Sequence, residues 1–307
     1  MVIYKKKKIL VTGASGFIGS NLLKSLNRKK FLVSGISNSH SDNYSVKPLS
    51  LFSKKKITKY LHEHDFDFVI HLGASVEEYD SVDILKNNCQ TTLNLLNACV
   101  DAKIKNFIYA SSHTVYGLSH YLPIDENHTL NPTTNYSLSK LINENFCKLF
   151  SKHDINFTIL RISSVFGIGQ NENFVIPTLM NSCILRNELV VHQYNNGFQI
   201  MDLVHVDDVC SSIELACNSK HKFGIYNISS GKPVTALQIA KYLKDLSNLD
   251  SIKIKKIKKN TSHFVYDISK ARRELKFKPK IQVSKKILKP WFDKKNMSSK
   301  IRKEKFF

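Results

Sequence analysis

Two side chains spaced four residues apart could perform acid–base chemistry. Tyr136 and Lys140 stand in the segment 135–140 (NYSLSK), inside a predicted helix, where this spacing places both on one face. A free phenol titrates near about pH 10 and is a poor base at neutral pH. A neighbouring ammonium favours the phenolate, so Tyr136 could take a proton from a hydroxyl or return one to a ketone. The alternative is a chance spacing on a helix surface.

Two serines extend this possible site. Ser111 and Ser112 follow the apolar run 106–110 (NFIYA), which predicts that they lie at the carboxyl end of a strand. In a doubly wound fold that edge carries the chemistry. A hydroxyl there could hydrogen-bond a substrate oxygen while Tyr136 moves the proton, although a serine at a strand end also commonly caps a helix or turn.

Three glycines near the start indicate what would work beside that base. The apolar run 8–12 leads into Gly13, Gly16 and Gly19, and a helical pattern follows at once. Glycine permits a tight turn and lets the backbone approach an anion with no Cβ in the way. The N–H groups and positive dipole of the following helix attract a pyrophosphate. The spacing GxxGxxG predicts a dinucleotide site, with an ordinary glycine turn as the alternative.

The elements that must position these groups alternate regularly through the first half of the chain. Near-continuous apolar strands of this kind are typical of a parallel sheet buried on both faces. The pattern predicts an α/β fold with a Rossmann-like, doubly wound parallel sheet in residues 1–165. A smaller substrate lobe is expected in 166–293, with some segments returning to the sheet, and a basic tail in 294–307. Strands are predicted at 7–12, 31–36, 67–73, 106–111 and 156–162, and helices at 17–29, 54–64, 81–102 and 133–152.

Composition excludes several classes of function. The 307 residues carry 46 Lys and Arg against 25 Asp and Glu, a net charge of +21, with lysine runs such as 253–259. This charge could attract nucleic acid, but no aromatic-interleaved basic motif accompanies it, so nucleic acid is not expected as a partner. Six scattered cysteines without a CxxC pair predict no metal site. The sequence has no apolar run long enough for a membrane span or a secretion signal, and a cytoplasmic location is expected.

Ten short segments resemble, in order and spacing, the NAD-dependent epimerase/dehydratase family of extended short-chain dehydrogenases/reductases. The resemblance extends, with gaps between the segments, from about residue 8 to residue 290. The segments are 12–19 (TGASGFIG), 71–74 (HLGA), 88–92 (NCQTT), 110–117 (ASSHTVYG), 136–140 (YSLSK), 160–161 (LR), 165–170 (VFGIGQ), 205–209 (HVDDV), 226–228 (YNI) and 267–270 (DISK).

The resemblance implies a role for individual residues. Ser112, Tyr136 and Lys140 align with the family's catalytic serine or threonine, base and lysine. It also implies hydride exchange at a sugar carbon, usually C4, of a nucleotide sugar. The expected cofactor-binding residues are Gly13, Ser15, Gly16, Phe17, Ile18, Gly19, Ser37, Asn38, Leu72, Gly73, Ala74, Asn88, Tyr136 and Lys140. The expected substrate-binding residues are Ser112, His113, Ser164, Asn173, Phe174, Val191 and His192.

Departures from the family pattern narrow the range of possible reactions and weaken the assignment of the substrate. The 4,6-dehydratases carry an Asp-Glu pair where this chain has His113 and Thr114, so dehydration is disfavoured and 4-epimerisation or 4-ketoreduction remains. The arginine that clamps the substrate diphosphate is replaced by Met201, and a methionine cannot substitute for a bidentate cation. The charge that binds a diphosphate must then come from elsewhere in the chain, for which Lys256 and Lys258 lie in a suitable region, or the substrate differs.

The cofactor is expected to be NAD or NADP. An acidic residue at the end of the second strand would bind the ribose 2′-hydroxyl and repel a 2′-phosphate. Ser37 occupies that position, followed by Asn38, and His40 lies close by, which favours NADP. A homodimer through the helices predicted at 81–102 and 133–152 is expected from the resemblance. The alternative functions are a reductase of a non-nucleotide substrate and a non-catalytic dinucleotide-binding protein with a basic surface for RNA or another partner.

Overall fold

The computed structural model describes residues 6–26, 30–38, 46–76, 81–185, 188–219 and 221–304, with backbone alone from 298 onward. Its strands are β1 Lys7–Thr12, β2 Phe31–Ser37, β3 Val46–Pro48, β4 Phe68–His71, β5 Asn106–Ser112, β6 Asn156–Ile162, β7 Val165–Phe166, β8 Val190–Tyr194, β9 Gly197–Phe198, β10 Ile200–Met201, β11 Val204–His205, β12 Phe223–Ile228, β13 Val234–Thr235 and β14 Lys253–Ile257.

The helices are α1 Phe17–Ser25, α2 Lys54–His64, α3 Val82–Asp101, α4 Asn135–Phe150, α5 Val175–Ile184, α6 Val206–Ala216, α7 Ala236–Ser247, α8 Ser269–Glu274 and α9 Lys285–Glu304. Two one-turn 3₁₀ helices cover His113–Tyr116 and Ser151–His153. The described part of the chain contains no helix apolar and long enough to cross a bilayer.

Seven parallel strands form the central sheet in the order β12-β6-β5-β4-β1-β2-β3. The prediction of a doubly wound α/β fold is therefore confirmed. The chain leaves β1 toward β2 on one side, and β4 lies on the other side of β1. Ligands of such sheets bind at this reversal, beyond the carboxyl ends of the strands.

The predicted elements of the first half are confirmed, with differences at their ends. The strand predicted at 156–162 matches β6, and the helix predicted at 133–152 is α4. The helix predicted at 17–29 ends at Ser25, and 27–29 lie outside the described residues. The short β3 and the edge strand β12 were not predicted. β12, which lies in the second half of the chain, pairs in parallel with β6.

Helices cover both faces of the sheet. On one face α1 and α6 pack together, and Leu22 of α1 shares a buried cluster with Ile213 of α6. On the other face α2, α3 and α4 enclose a second cluster that includes Leu95 and Cys147. A third cluster packs helices α5, α7 and α9 together with β8, and these elements are called the C-terminal lobe below. The near-continuous apolar strands are explained by this burial on both faces.

The predicted basic tail is helical as far as Glu304, where it continues α9. The first turns of α9 are held in place because Leu288, Trp291 and Phe292 are buried in the third cluster, together with residues of α5 and α7. The charged residues after 293 thus extend a helix that is already anchored by apolar side chains. Residues 305–307 lie outside the described residues.

A buried ion pair joins α4 to the sheet. Glu144 on α4 accepts hydrogen bonds from Arg161 on β6, through Nε at 3.1 and 3.2 Å and through Nη2 at 2.7 Å. The two side chains are 4% and 3% exposed. Arg161 Nη1 also donates to Tyr116 Oη and to the carbonyl of Glu126, both at 3.1 Å. Because the pair is enclosed, each charge depends on the other for solvation.

Replacing Arg161 with methionine should lower the free energy of unfolding by about 3–5 kcal/mol, because Glu144 would remain as an unpaired buried charge. Urea unfolding followed by circular dichroism measures this. The control is Lys105→Met, which breaks the pair Lys105–Asp154, whose side chains are 60% and 86% exposed. It should cost much less than Arg161→Met, because water already surrounds both of these side chains. Equal losses in the two variants would contradict the role given to the buried pair.

Candidate active site

Two adjoining cavities lie at the carboxyl ends of the sheet strands. The first cavity, of about 280 Å³, and the second cavity, of about 300 Å³, share Gly13, Gly16, Leu72 and Ala74 in their walls. They are therefore two ends of one cleft that meet at the glycine turn. Every residue expected to bind the cofactor lines at least one of them: Gly13, Ser15, Gly16, Ser37, Asn38, Leu72, Gly73, Ala74 and Asn88 the first, and Phe17, Ile18, Gly19, Tyr136 and Lys140 the second.

The glycine turn between β1 and α1 has no room for side chains. Gly13 adopts a φ of +67°, and a Cβ there would lie 2.7 Å from Gly73 Cα. A Cβ on Gly19 would lie 2.2 Å from the carbonyl oxygen of Gly13. The first turn of α1 thus packs directly on the loop. The helix starts at Gly16 with no side-chain cap and no acidic residue in its first turn, which leaves an N-terminus suited to an anion.

The far end of the first cavity is apolar and uncharged. Ser37 at the end of β2 hydrogen-bonds Ser15 of the glycine turn, with 2.6 Å between the hydroxyl oxygens. Leu49, Leu51 and Phe52 supply apolar walls. Among the described residues that line this cavity there is no Lys, Arg, Asp or Glu. His40, invoked in the expectation of NADP, lies outside the described residues.

Buried hydrogen bonds fix the loop that follows β4. Asn88 on α3 accepts from the backbone N–H of Ser75 at 2.8 Å and donates to its carbonyl at 3.1 Å and to Ser139 at 3.2 Å. His71 lies between the hydroxyls of Thr12 and Thr92, at 2.6 and 2.9 Å. Burial, and secondly the charge of Lys140, lower the pKa of His71 to about 3, so it stays neutral. Residues 72–76 of this loop line the two cavities, and the bonds to Asn88 hold Ser75 in place.

Lys140 is buried beside Tyr136 in the wall of the second cavity. Its side chain donates to the carbonyl oxygen of Ala110 on β5 at 2.7 Å and is 4% exposed. Nζ lies 5.7 Å from the ring centroid of Tyr136 and 5.0 Å from that of Tyr109. Burial lowers the pKa of Lys140 to about 8, against the opposing effect of the Glu144 carboxylate. The spacing of four residues does place the two side chains on one face of α4.

The two serines after β5 have different partners. Ser111 Oγ donates to Glu144 Oε1 at 2.5 Å and is thereby held against the buried ion pair. Ser112 Oγ accepts from the backbone N–H of Thr114 at 3.2 Å and from its hydroxyl at 2.9 Å. Because these contacts use its lone pairs, the hydrogen of Ser112 is the part left for a ligand in the second cavity.

Four of the seven expected substrate-binding residues line the second cavity, and three line neither cavity. Ser112, His113, Ser164 and Phe174 are in its wall. Asn173 is exposed before α5, Val191 is buried in the core of the C-terminal lobe, and His192 is exposed on β8.

The expected sources of charge for a diphosphate also lie elsewhere. Met201 packs against the core of the C-terminal lobe. Lys256 is exposed on the edge strand β14, and Lys258 is exposed just beyond it. Neither lysine lines either cavity.

Sequence reasoning missed three residues with evident roles in this region. Glu144 lies one helical turn beyond Lys140, so its position on the same face could be predicted from the sequence. Its role could not, because that role depends on the contact with Arg161. Gln170 lines the second cavity, and its buried Oε1 has no hydrogen-bond partner among the described residues. Tyr266 lies behind the wall and hydrogen-bonds His113. The glycine cradle and the orphaned Gln170 oxygen fit a bound dinucleotide and its polar groups.

Comparison with known proteins places this chain in a family. The chain is 32% identical over 254 residues to a putative UDP-glucose 4-epimerase of Methanocaldococcus jannaschii, covering 77% of this chain and 81% of that protein. The UDP-N-acetylglucosamine 4-epimerase of Methanobrevibacter ruminantium M1, solved in complex with UDP-N-acetylmuramic acid, is 27% identical with a TM-score of 0.83, covering 95% of this chain and 99% of that one.

A third comparison agrees with these two. The UDP-glucose 4-epimerase of Thermotoga maritima, solved with UDP-glucose, superimposes with a TM-score of 0.82 at 25% identity, covering 94% of this chain and 99% of that one. The model of the NAD dependent epimerase/dehydratase family matches residues 9–229, which include the glycine turn, Ser112, Tyr136 and Lys140. The chain is an enzyme that belongs to the NAD-dependent epimerase/dehydratase family.

Proposed function

We propose that this enzyme is an NAD-dependent 4-epimerase of a nucleoside-diphosphate sugar, with Ser112, Tyr136 and Lys140 as its catalytic residues. One observation carries the proposal: the three side chains line a single cavity that opens onto the glycine turn. A bound nicotinamide at that junction would lie beside the phenol. The 4-epimerases among the similar proteins support C4 as the position of reaction.

The residues divide the chemistry between them. Bound NAD supplies reversible acceptance of a hydride from the sugar carbon. Tyr136 takes the proton of the C4 hydroxyl as the C–H hydride leaves, which produces a ketone. Ser112 donates its free hydrogen to the same oxygen and holds it during the exchange. Tyr136 would give the proton back to the same oxygen when the ketone is reduced on its opposite face, so that the inversion requires no net oxidation.

The electrostatics of α4 favour this role for Tyr136. The ammonium of Lys140 stabilises a phenolate next to it. Because Lys140 is buried, its charge is retained near neutral pH only with help from the Ala110 carbonyl and the Glu144 carboxylate. Dehydration is not proposed, because His113 and Thr114 stand where a dehydratase has its acid and base.

The first cavity, where the adenosine of the cofactor would bind, favours NAD over NADP, contrary to the expectation from sequence. Ser37 and Ser15 bond each other, and no cationic side chain among the described residues of that cavity could pair with a 2′-phosphate. Ketoreduction, which that expectation favoured, loses its main argument. Tighter binding of NADP than of NAD, measured by calorimetry, would overturn this part of the proposal.

We also propose a homodimer formed through α3 and α4. On α4, Leu149 is 56% exposed and Leu138 is 36% exposed, so both are available for a partner. Leu96 on α3 is fully buried in the core of its own chain and does not contribute. A monomeric mass in sedimentation equilibrium would contradict the dimer.

Tyr136→Phe should lower kcat for interconversion of UDP-glucose and UDP-galactose by about 10²–10⁴-fold, because the proton loses its acceptor. Calorimetry should still find NAD bound, because the glycine turn is unchanged. Tyr121→Phe is the control, since this side chain is 48% exposed and lines neither cavity. A rate within about tenfold of the wild type would rule out Tyr136 as the base, since general-base catalysis is worth more than that.

The pH dependence of kcat/KM should reveal the loss of the proton from the Lys140 ammonium. Its ammonium is lost as pH rises through its pKa of about 8, so kcat/KM should fall above that pH. Glu144→Gln removes the carboxylate that raises this pKa, and the fall should move down by about one pH unit. Glu126→Gln is the control, because Glu126 bonds the backbone of Asn227 at 2.8 Å and is not among the groups that shift Lys140. An unmoved profile in Glu144→Gln would refute the coupling.

A further inference from the structure

Behind the wall of the second cavity, His113 and Tyr266 form a pair that the proposed chemistry does not use. His113 lies in the 3₁₀ turn directly after Ser112 and is one of the residues that line the cavity. Its Nδ1 is 2.7 Å from Tyr266 Oη, and its Nε2 is 3.3 Å from Ser164 Oγ. The ring also meets Phe264 and Tyr266 edge-on, at centroid distances of 5.8 and 5.6 Å. The imidazole is therefore held on several sides.

The hydroxyl of Tyr266 determines which nitrogen of His113 carries the proton. Tyr266 is 4% exposed, and His113 Nδ1 is the hydrogen-bond partner of its Oη among the described residues. If Nδ1 carried the proton and donated it, the phenol hydrogen would be buried without an acceptor, which is costly. The phenol therefore donates to Nδ1, and the proton of the neutral ring is on Nε2, the nitrogen next to Ser164.

His113 is also uncharged at neutral pH. Burial lowers its pKa to about 4, and Tyr266 adds no negative charge, because burial raises the pKa of that phenol. The side of the ring toward Ser164 thus presents a neutral N–H donor. Lys140 is the one charged side chain among the described residues that line this cavity, and its ammonium is bonded to Ala110.

We infer that Tyr266 is a positioning residue that directs the proton of the neutral His113 ring to Nε2, and that the uncharged wall so formed favours a sugar with a hydroxyl or carbonyl oxygen over one with a carboxylate. A hydroxyl or carbonyl accepts from Nε2–H directly or through Ser164. A carboxylate would enter a cavity with no uncommitted cation in its described wall, and its desolvation would not be compensated. The selection of a neutral sugar rests on the proposed function, whereas the protonation of His113 does not.

The first test is the protonation state of His113, read from ¹H–¹⁵N correlation spectra of the NAD-loaded protein, with His113→Asn to assign the signal. The wild type should show protonated Nε2 and bare Nδ1. Tyr266→Phe should shift the ring toward a mixture of the two tautomers. The matched control is Tyr226→Phe, which removes another buried hydroxyl, bonded to Glu274 at 3.1 Å, and should leave His113 unchanged. A protonated Nδ1 in the wild type would overturn the inference.

The second test is selection between UDP-glucose and UDP-glucuronic acid. The wild type should favour UDP-glucose in kcat/KM, and Tyr266→Phe should raise KM for UDP-glucose by about tenfold with kcat little changed, as expected for loss of binding energy. Preference for the uronic acid, or an unchanged KM in Tyr266→Phe, would overturn the selection. If neither compound is turned over, these uridine sugars are not substrates of the proposed epimerase, and the inference is decided by whether UDP-glucose shifts the His113 signals in the wild type: a shift supports it, and no shift overturns it.

Discussion

A buried ammonium group organises this site. Lys140 has lost its water, and the carbonyl of Ala110, the faces of Tyr109 and Tyr136, and the charge of Glu144 replace it. A cation so enclosed is stable only where these groups meet, because desolvation without compensation would neutralise it. The requirement fixes α4 against the end of β5. It thereby brings the phenol of Tyr136 and the serines after β5 to the same edge of the sheet as the glycine turn.

A second set of buried contacts joins α4 to the wall of the second cavity that contains His113. Glu144 bonds Ser111 and Arg161, Arg161 bonds Tyr116, and Tyr116 donates to Asn227 on β12 at 2.6 Å. Asn227 in turn donates to the carbonyls of Ile124 and Asp267, at 3.0 and 3.2 Å. Because Asp267 is adjacent to Tyr266, the wall that holds His113 is joined to the helix that carries the base. Small displacements of one are therefore resisted by the other.

Sequence reasoning recovers the parts of this arrangement that local physics specifies. The period of the apolar residues predicts β6 and α4, and the glycine spacing predicts the turn between β1 and α1. The spacing of four residues predicts that Tyr136 and Lys140 share one helix face. What it misses depends on contacts between distant segments. Glu144 acquires its role only when β6 brings Arg161 opposite it. Tyr266 reaches His113 across 153 positions of sequence. Val191 was expected at the substrate, but it points into the lobe core, a direction that pairing with β14 sets.

The central claim is that the buried ammonium holds the phenol of Tyr136 at the reacting carbon. A crystal structure of the enzyme with NAD and a UDP-hexose tests it most directly. The account predicts Tyr136 Oη within about 3.2 Å of the C4 oxygen of the sugar, with the sugar carbon about 3–3.5 Å from the reactive nicotinamide carbon. A phenol directed away from the sugar, or more than about 8 Å from that ring carbon and so beyond any direct contact, would contradict it.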